Sequence, residues 1–383
     1  MTIIVDTQRA LTGGVDTHAD VHVAAVIDPE GGLLGVKSFA TNLAGYKLLS
    51  GWMGTFGEIG LVGVEGTGSY GAGLARHLHR EGLVVVEVDR PNLQERARQG
   101  KSDSLDAIEA ARAALPGRAF GVAKTRDGNV EAIRALMVVR RSARESRTKA
   151  MNQIRQLVDT APDELRERFV GVPSWRIAEG VAILRVHADP VRMATKCALG
   201  MLGRRAVALG EEGKRLDVLI ARLVDKVAPE LVELVGLGPD TAALLLIAAG
   251  DNPSRLRSEA TWAKLCGVAP LEASSGKVTR HRLNRGGDRQ ANHALWSIVL
   301  TRMACHEPTK VYVARRTAEG KSKREIMRIL KRYVAREVYH YLPRGIELLG
   351  AAGLAHISRL PRSRWPANDL PARRSELYPT SSK

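Results

Sequence analysis

The stretch GVDTHADVHVAAVID, residues 14–28, decides the fold of the N-terminal part of the chain. It joins a short apolar run to a second run in which apolar and polar side chains alternate, a pattern typical of strands connected by a tight turn. After the turn DPEGG, the run LLGVKSF predicts a third strand. Helical stretches at 43–53 and 72–81 then alternate with the apolar runs IGLVGVE (59–65) and GLVVVEVD (82–89). Three hairpin strands followed by this alternation predict a mixed α/β sheet.

The remainder of the chain is predicted to be mainly helical. Residues 130–159 and 192–227 carry helical periodicity without proline, which favours a helical hairpin or coiled coil that dimerises. A helical unit interrupted by glycines follows. The end of the sequence is rich in Pro, Arg and Ser. We therefore predict an α/β domain (10–125), a helical linker (126–228), a mainly α C-terminal domain (229–349) and a basic, disordered tail (350–383).

The composition points to a polyanionic partner. Lys and Arg number 58 against 41 Asp and Glu, a formal net charge of +17. Neutralising phosphates with release of counterions is the usual use of such an excess, although a basic surface can also serve only solubility. Three dispersed cysteines fit a reducing compartment, and no signal peptide or membrane-length apolar run is evident. A cytoplasmic protein is expected.

Four carboxylates are candidates for a shared site. Asp16 ends the first predicted strand and Glu65 ends the fourth, while Asp103 and Asp106 follow Ser102, a predicted helix N-cap. Such a cluster repels itself unless cations are present, and two divalent ions of the Mg²⁺ or Mn²⁺ type suit an all-oxygen site that acts on a phosphodiester.

Simpler interpretations of these residues stay open. An Asp at the end of a strand often caps a turn, and acidic residues favour helix N-termini because of the helix dipole. The neighbouring polar residues His18, Asp20 and His22 are predicted to form only a solvated strand face. Tyr70, beside the Glu65 loop, can stack on a base, but packing against the sheet is the more common role of an aromatic residue at a helix start.

A second stretch, ASSGKVTRHRLNRGGDRQAN (273–292), combines serines with arginines. Arginine presents planar donors to phosphate oxygens and stabilises charge that develops on them. Asp288 is predicted to cap the next helix. Binding of the DNA backbone explains the basic residues equally well, and a serine hydroxyl needs a base or a metal to act as a nucleophile.

Both stretches resemble one family. Asp16 in GVDTHADVHVAAVID, Glu65 in GVEGTGSYG, and Asp103 and Asp106 in GKSDSLDA resemble the DEDD motif of the IS110 family of insertion-sequence transposases. The resemblance implies an N-terminal domain of the RuvC-like, RNase H type with these four residues as ligands of Mg²⁺ or Mn²⁺. The second stretch resembles the C-terminal transposase domain of the same family, which implies that Ser275, or alternatively Ser274, is a nucleophile that joins covalently to DNA.

The resemblance also implies partners and intermediates. Members of the family act on double-stranded donor and target DNA, guided by a noncoding bridge RNA, as dimers that pair into tetramers in the synaptic complex. Catalysis is expected to pass through a phosphoserine link, at a site to which the DEDD residues and the serine contribute across protomers. The basic residues expected to contact nucleic acid are Lys101, Lys277, Arg280, Arg282, Arg285 and Arg289.

Three other functions remain possible at this stage. A metal-dependent, structure-selective nuclease of the Holliday-junction resolvase type needs the carboxylates but no serine. An actin-like ATPase shares the strand hairpin and a strand-end Asp, but it needs a second phosphate loop that the sequence does not show. A binding protein without enzymatic activity tolerates the loss of Asp16 or Glu65.

Overall fold

The computed structural model describes residues 10–88, 102–115, 122–184, 190–275, 281–282 and 284–343. The chain separates into two compact units, one formed by residues 1–128 with 250–255 and the other by residues 129–249 with 256–383. The predicted tail and the basic residues Lys101, Lys277 and Arg280 lie outside the described residues. The four-segment division stays a prediction.

The first unit is built on a five-stranded mixed sheet, as the sequence predicts. Its spatial order is β3-β2-β1-β4-β5. Strand β1 pairs antiparallel with β2 and parallel with β4, β2 pairs antiparallel with β3, and β4 pairs parallel with β5. The strands are β1 (Leu11–Thr17), β2 (Val21–Ile27), β3 (Leu33–Ala40), β4 (Ile59–Glu65) and β5 (Val85–Val88).

Helices cover both faces of this sheet. Helices α1 (Leu43–Gly54) and α2 (Ala72–Arg80) pack on one face, where alternate strand residues such as Val15, Val62 and Val64 form the larger core. Helix α3 (Asp103–Ala114) packs on the other face, against β1, β2 and β4. Because successive side chains of a strand point to opposite faces, the residues of β1 and β4 that alternate with these valines face α3.

Two glycines allow α3 to approach the sheet closely. A Cβ at Gly14 would overlap the backbone of Ala107 and Ala111, and one at Gly63 would lie 2.5 Å from the carbonyl oxygen of Ala110. Small residues on the sheet and on α3 therefore allow the backbone of the helix to contact the backbone of the strands. The segment 250–255 also belongs to this unit, since Asn252 donates to the carbonyl oxygen of Ala123 at 2.9 Å and accepts from the amide of Thr125 at 3.3 Å.

The second unit is mainly helical and contains a two-stranded hairpin. Two long helices, α4 (Asn129–Asp159) and α7 (Pro190–Val227), pack along each other. The shorter elements are α5 (Asp163–Glu167), α6 (Ser174–Ala182), α8 (Pro229–Val232), α9 (Pro239–Ala249), α10 (Glu259–Leu265), β6 (Leu271–Glu272), β7 (His281–Arg282), α11 (Arg289–Cys305), α12 (Glu307–Ala318) and α13 (Lys323–Tyr341). No helix among the described residues is both long and apolar enough to cross a bilayer.

Helix α9 lies in the main core of this unit and packs against α4, α7 and α11, while α13 packs against α11 in the same core. A buried ion pair fixes part of this core. Arg302, which is 3% exposed, donates to Glu337 at 2.6 Å and to the carbonyl oxygen of Val235 at 2.7 Å. This guanidinium thereby joins α11, α13 and the segment that precedes α9.

Candidate active site

Asp16, Asp103 and Asp106 lie together on the α3 side of the sheet, and Glu65 lies at the adjacent strand end on the same face. Asp16 lies two residues beyond Gly14 on β1, and Glu65 lies two residues beyond Gly63 on β4, so both lie on the strand face that α3 covers. The parallel register pairs Val15 with Val64, which makes Asp16 and Glu65 neighbours at the carboxyl ends of adjacent strands.

Helix α3 brings the other two carboxylates to the same place. The hydroxyl of Ser102 accepts from the amide of Leu105 at 3.3 Å, which confirms the predicted N-cap. Asp103 and Asp106 therefore stand in the first turn, close enough to influence Asp16 electrostatically. Asp16 and Asp106 are each 5% exposed, whereas Asp103 is exposed.

A histidine belongs to this cluster. His18 donates through Nε2 to Asp16 Oδ2 at 3.0 Å, and the same nitrogen lies 3.4 Å from Asp103 Oδ1. Burial raises the pKa of the Asp16 carboxyl above its usual value, the charge and hydrogen bond of His18 oppose this, and the charges of Asp106 and Asp103 add to it. Burial and the neighbouring carboxylates thus disfavour the charged form of Asp16, and a bound cation would stabilise that form.

The donor set fits a divalent metal ion. One donor atom each from Asp16, His18 and Asp103 lies within 4.8 Å of the other two. Thr17, between Asp16 and His18, links β1 to the end of β4, because its Oγ1 donates to the carbonyl oxygen of Glu65 at 2.8 Å. The site therefore has both the ligand chemistry and the local order that a metal centre needs.

The interpretation of residues 18, 20 and 22 as a solvated face is wrong for His22 and holds for Asp20, while the half-exposed His18 contacts carboxylates as well as solvent. His18 lies in the turn between β1 and β2 and faces the carboxylates. His22 is fully buried on the opposite face of the sheet, where its ring stacks on Tyr46 with centroids 5.6 Å apart. Only Asp20 is exposed. The packing expected for Tyr70 is also wrong, because its side chain is 56% exposed.

The serine region lies on the hairpin of the second unit. Ser274 and Ser275 follow β6 and are exposed. The loop after β7 is held in place by Asn284, which donates to the carbonyl oxygen of Lys264 at 3.0 Å. Asp288 caps α11 as predicted, accepting from the amides of Gln290 and Ala291 at 2.8 and 3.0 Å. A short polar network thus fixes the arginine-rich loop to the helical core.

Two of the predicted arginines share a cavity with a third that sequence reasoning missed. Arg282, Arg285 and Arg328 line a cavity of about 720 Å³ together with Leu271, Asn284 and Gly286. None of the three guanidinium groups pairs with a carboxylate among the described residues. Arg328 comes from α13, far away in sequence, so local patterns cannot connect it with the serine motif. Arg328 acts on the Glu325 carboxylate only beyond ion-pair distance, and three guanidinium groups around one cavity favour an anionic ligand.

A second basic groove follows the exposed side of α4. It has a volume of about 780 Å³, and its cationic residues are Arg141, Arg144 and Lys149. One carboxylate, Glu145, and a set of amide and hydroxyl side chains complete its lining: Thr148, Asn152, Gln153, Gln156 and Gln290. Three cationic side chains against one carboxylate, spaced along a helix among hydrogen-bonding groups, suit a phosphate backbone.

Comparisons with known proteins match both units. The family model of the DEDD-type IS110 transposase matches residues 13–161, which include the four carboxylates. The model of the transposase IS116/IS110/IS902 family matches residues 228–314, which include the serines and the arginine loop. A relative from Streptomyces coelicolor, described as an insertion element IS110 uncharacterized 43.6 kDa protein, is 28% identical over 179 residues. The match covers 46% of this chain and 40% of the relative.

Proposed function

Because this chain belongs to the IS110 family of transposases, we propose that it cuts and rejoins the donor and target DNA of an insertion sequence. The observation that carries the proposal is the convergence of Asp16, Asp103 and Asp106, with Glu65 at the adjacent strand end, within the segment that the DEDD model matches. This arrangement, on a sheet of order β3-β2-β1-β4-β5, supports a RuvC-like domain of the RNase H type.

The carboxylates hold a divalent cation, Mg²⁺ or Mn²⁺, in this proposal. When bound, the cation supplies Lewis-acid stabilisation of the charge that develops on phosphate oxygens. Asp16 and Asp106 are buried and therefore hold fixed positions, while Asp103 stands at the exposed rim, where a DNA strand can approach. Asp103 and Asp106 share the first turn of α3, so any displacement of that helix shifts both ligands together.

Ser275 acts as the nucleophile in the proposed reaction, and Ser274 is the alternative. A bond forms between the serine Oγ and phosphorus, and the bond from phosphorus to one sugar oxygen breaks. The serine proton leaves with that oxygen as a sugar hydroxyl, and attack by the hydroxyl of another strand reverses the step and rejoins the DNA. Arg282 and Arg285, with the exposed Arg289, stabilise the phosphate during this exchange.

Sequence choice resides in a noncoding bridge RNA, and the protein recognises the shape and backbone of nucleic acid. The net charge of +17, with only 4% aromatic residues, supports recognition through phosphates rather than base stacking. The groove on α4 is a candidate surface for this contact.

Exposed apolar side chains on α4 and α7, including Val139 and Leu219, support a homodimer that pairs into a tetramer and shares composite sites between protomers. We expect the complex to act at the nucleoid, in the cytoplasm of a prokaryotic cell.

The test scores donor–target junctions by sequencing in cells that carry the gene with its native flanking DNA. Asp16→Asn and Ser275→Ala should each abolish junctions at unchanged protein levels, whereas Asp20→Asn, an exposed neighbour, and Ser274→Ala should retain them. Junctions from Ser275→Ala but not from Ser274→Ala would move the nucleophile to Ser274. DNA cleavage that needs Asp16 but neither serine would indicate a structure-selective metal nuclease, and junctions from Asp16→Asn would refute the acidic site.

A further inference from the structure

We infer that His18 is a ligand of the divalent cation, so that the centre has mixed nitrogen and oxygen donors and selects Mn²⁺ over Mg²⁺. This rests on the proposed function, because it names a further ligand and the preferred ion of the same carboxylate site. The four carboxylates alone describe an all-oxygen centre, which suits Mg²⁺. An imidazole nitrogen in the donor set changes that preference.

The distances between donor atoms agree with binding to one ion. For metal–ligand bonds of about 2.1 Å, adjacent ligands of an octahedral ion lie about 3.0 Å apart and those of a tetrahedral ion about 3.4 Å apart. His18 Nε2 lies 3.0 Å from Asp16 Oδ2 and 3.4 Å from Asp103 Oδ1. The donor atoms of Asp16 and Asp103 lie within 4.8 Å of each other, so all three donor atoms border the same small space.

The turn that carries His18 is held at both ends. Thr41, just beyond β3, donates through Oγ1 to the carbonyl oxygen of His18 at 3.1 Å and through its amide to that of Asp20 at 2.9 Å. Asp16 is buried in β1, and the N-cap fixes Asp103 at the start of α3. All three donors thus come from ordered backbone, which reduces the entropy that metal binding would otherwise have to overcome.

Nitrogen ligation matters because the two ions differ in ligand preference. Mg²⁺ demands oxygen ligands in near-ideal octahedral geometry, whereas first-row transition metals bind imidazole readily. The competing explanation is that a protonated His18 serves as a counter-ion in place of the metal. The two explanations predict opposite effects of removing the imidazole, since a ligand strengthens metal binding and a counter-ion competes with it.

The experiment measures Mn²⁺ and Mg²⁺ binding to the full-length, metal-stripped chain by titration calorimetry, and ¹⁴N coupling to bound Mn²⁺ by pulsed electron paramagnetic resonance. The wild type should show the nitrogen coupling, and His18→Ala should lose it. The same variant should bind Mn²⁺ at least about tenfold more weakly, with a smaller change for Mg²⁺. Asp20→Asn, on the same turn but exposed, should match the wild type.

Each alternative outcome is distinguishable. Unchanged Mn²⁺ affinity and a persistent ¹⁴N signal in His18→Ala would overturn the inference, and tighter binding would assign His18 as the counter-ion. Asp16→Asn separates this inference from the proposed function, because it removes a carboxylate and keeps the imidazole. If Asp16→Asn leaves the affinity for both ions intact, the carboxylate site itself is refuted.

Discussion

Replacing Gly14 with alanine tests whether the close approach of α3 to β1 builds the acidic site. A methyl group at Gly14 would overlap the carbonyl oxygen of Ala107 and the amide nitrogen of Ala111. Both are backbone atoms, so no change of rotamer can relieve the overlap. The helix must move away from the strand, and it carries Asp103 and Asp106 with it.

The expected cost follows from the packing. Overpacking a well-packed core costs about 1–3 kcal/mol even where side chains can adjust. Here α3 must also separate from β1, and a gap of about 0.5–1 Å forfeits a quarter to a half of each dispersion contact. We therefore expect Gly14→Ala to lower the free energy of unfolding of the first unit by about 3 kcal/mol or more, a large part of the stability of an ordinary domain.

Hydrogen exchange measured by mass spectrometry on the full-length chain localises the effect. Peptides from β1 and α3 should lose protection in Gly14→Ala, while those from α9 in the second unit should not, and Mn²⁺ binding should weaken. Gly51→Ala is the matched control, because a Cβ there meets nothing within 4 Å on the exposed side of α1 and should stabilise the helix by up to about 1 kcal/mol. Full protection of β1 and α3 in Gly14→Ala would refute the close-packing argument.

Three further predictions concern other parts of the chain. Burial lowers the pKa of His22 from 6.5 to about 4, so the unfolded chain binds a proton at this histidine more readily than the folded chain. The free energy of unfolding should therefore be highest above pH 6.5 and fall by up to about 3 kcal/mol towards pH 4. Denaturant titrations at several pH values should show that His22→Phe reduces this pH dependence. Glu337→Gln leaves the buried Arg302 without its charged partner and should lower the free energy of unfolding by about 3 kcal/mol; a change below 0.5 kcal/mol in denaturant titrations would contradict the ion-pair argument. Arg328→Ala should weaken DNA or RNA binding and reduce the salt dependence of the affinity by about one ion. Arg324 is exposed on the same helix but outside the cavity, so Arg324→Ala should have a smaller effect. Equal losses of affinity for the two variants in filter binding would argue against a specific anion site.

Local patterns in the sequence are sufficient to predict the strands of the first unit and two helix caps, while the four acidic ligands stay a prediction. Each strand of the first unit is an apolar run bounded by turn residues, and the predicted caps Ser102 and Asp288 both accept backbone amides. Such features depend on residues only a few positions apart, which is the range over which periodicity and capping act. Arg328 is different, because its place beside Arg282 depends on how α13 packs and on no neighbouring residue.

His18 and His22 show where periodicity stops being informative. His18, Asp20 and His22 are spaced as one face of a strand, and on that basis they should share one environment. Strand β1 ends at Thr17 and β2 begins at Val21, so the alternation is interrupted within the spacing that was used. His18 consequently faces the carboxylates, while His22 resumes the alternation on the α1 side of the sheet.

Packing and chemistry are encoded together in this domain by one short pattern. On both β1 and β4 a glycine precedes the acidic residue of the predicted site by two positions, Gly14 before Asp16 and Gly63 before Glu65. Residues two apart share a strand face, so each glycine opens the face on which its carboxylate lies. The opened face allows α3 to pack closely, and the first turn of α3 carries the remaining two carboxylates of the predicted site. If this reasoning holds, Gly63→Ala should reproduce the loss of metal binding expected of Gly14→Ala, although neither glycine donates an atom to the site.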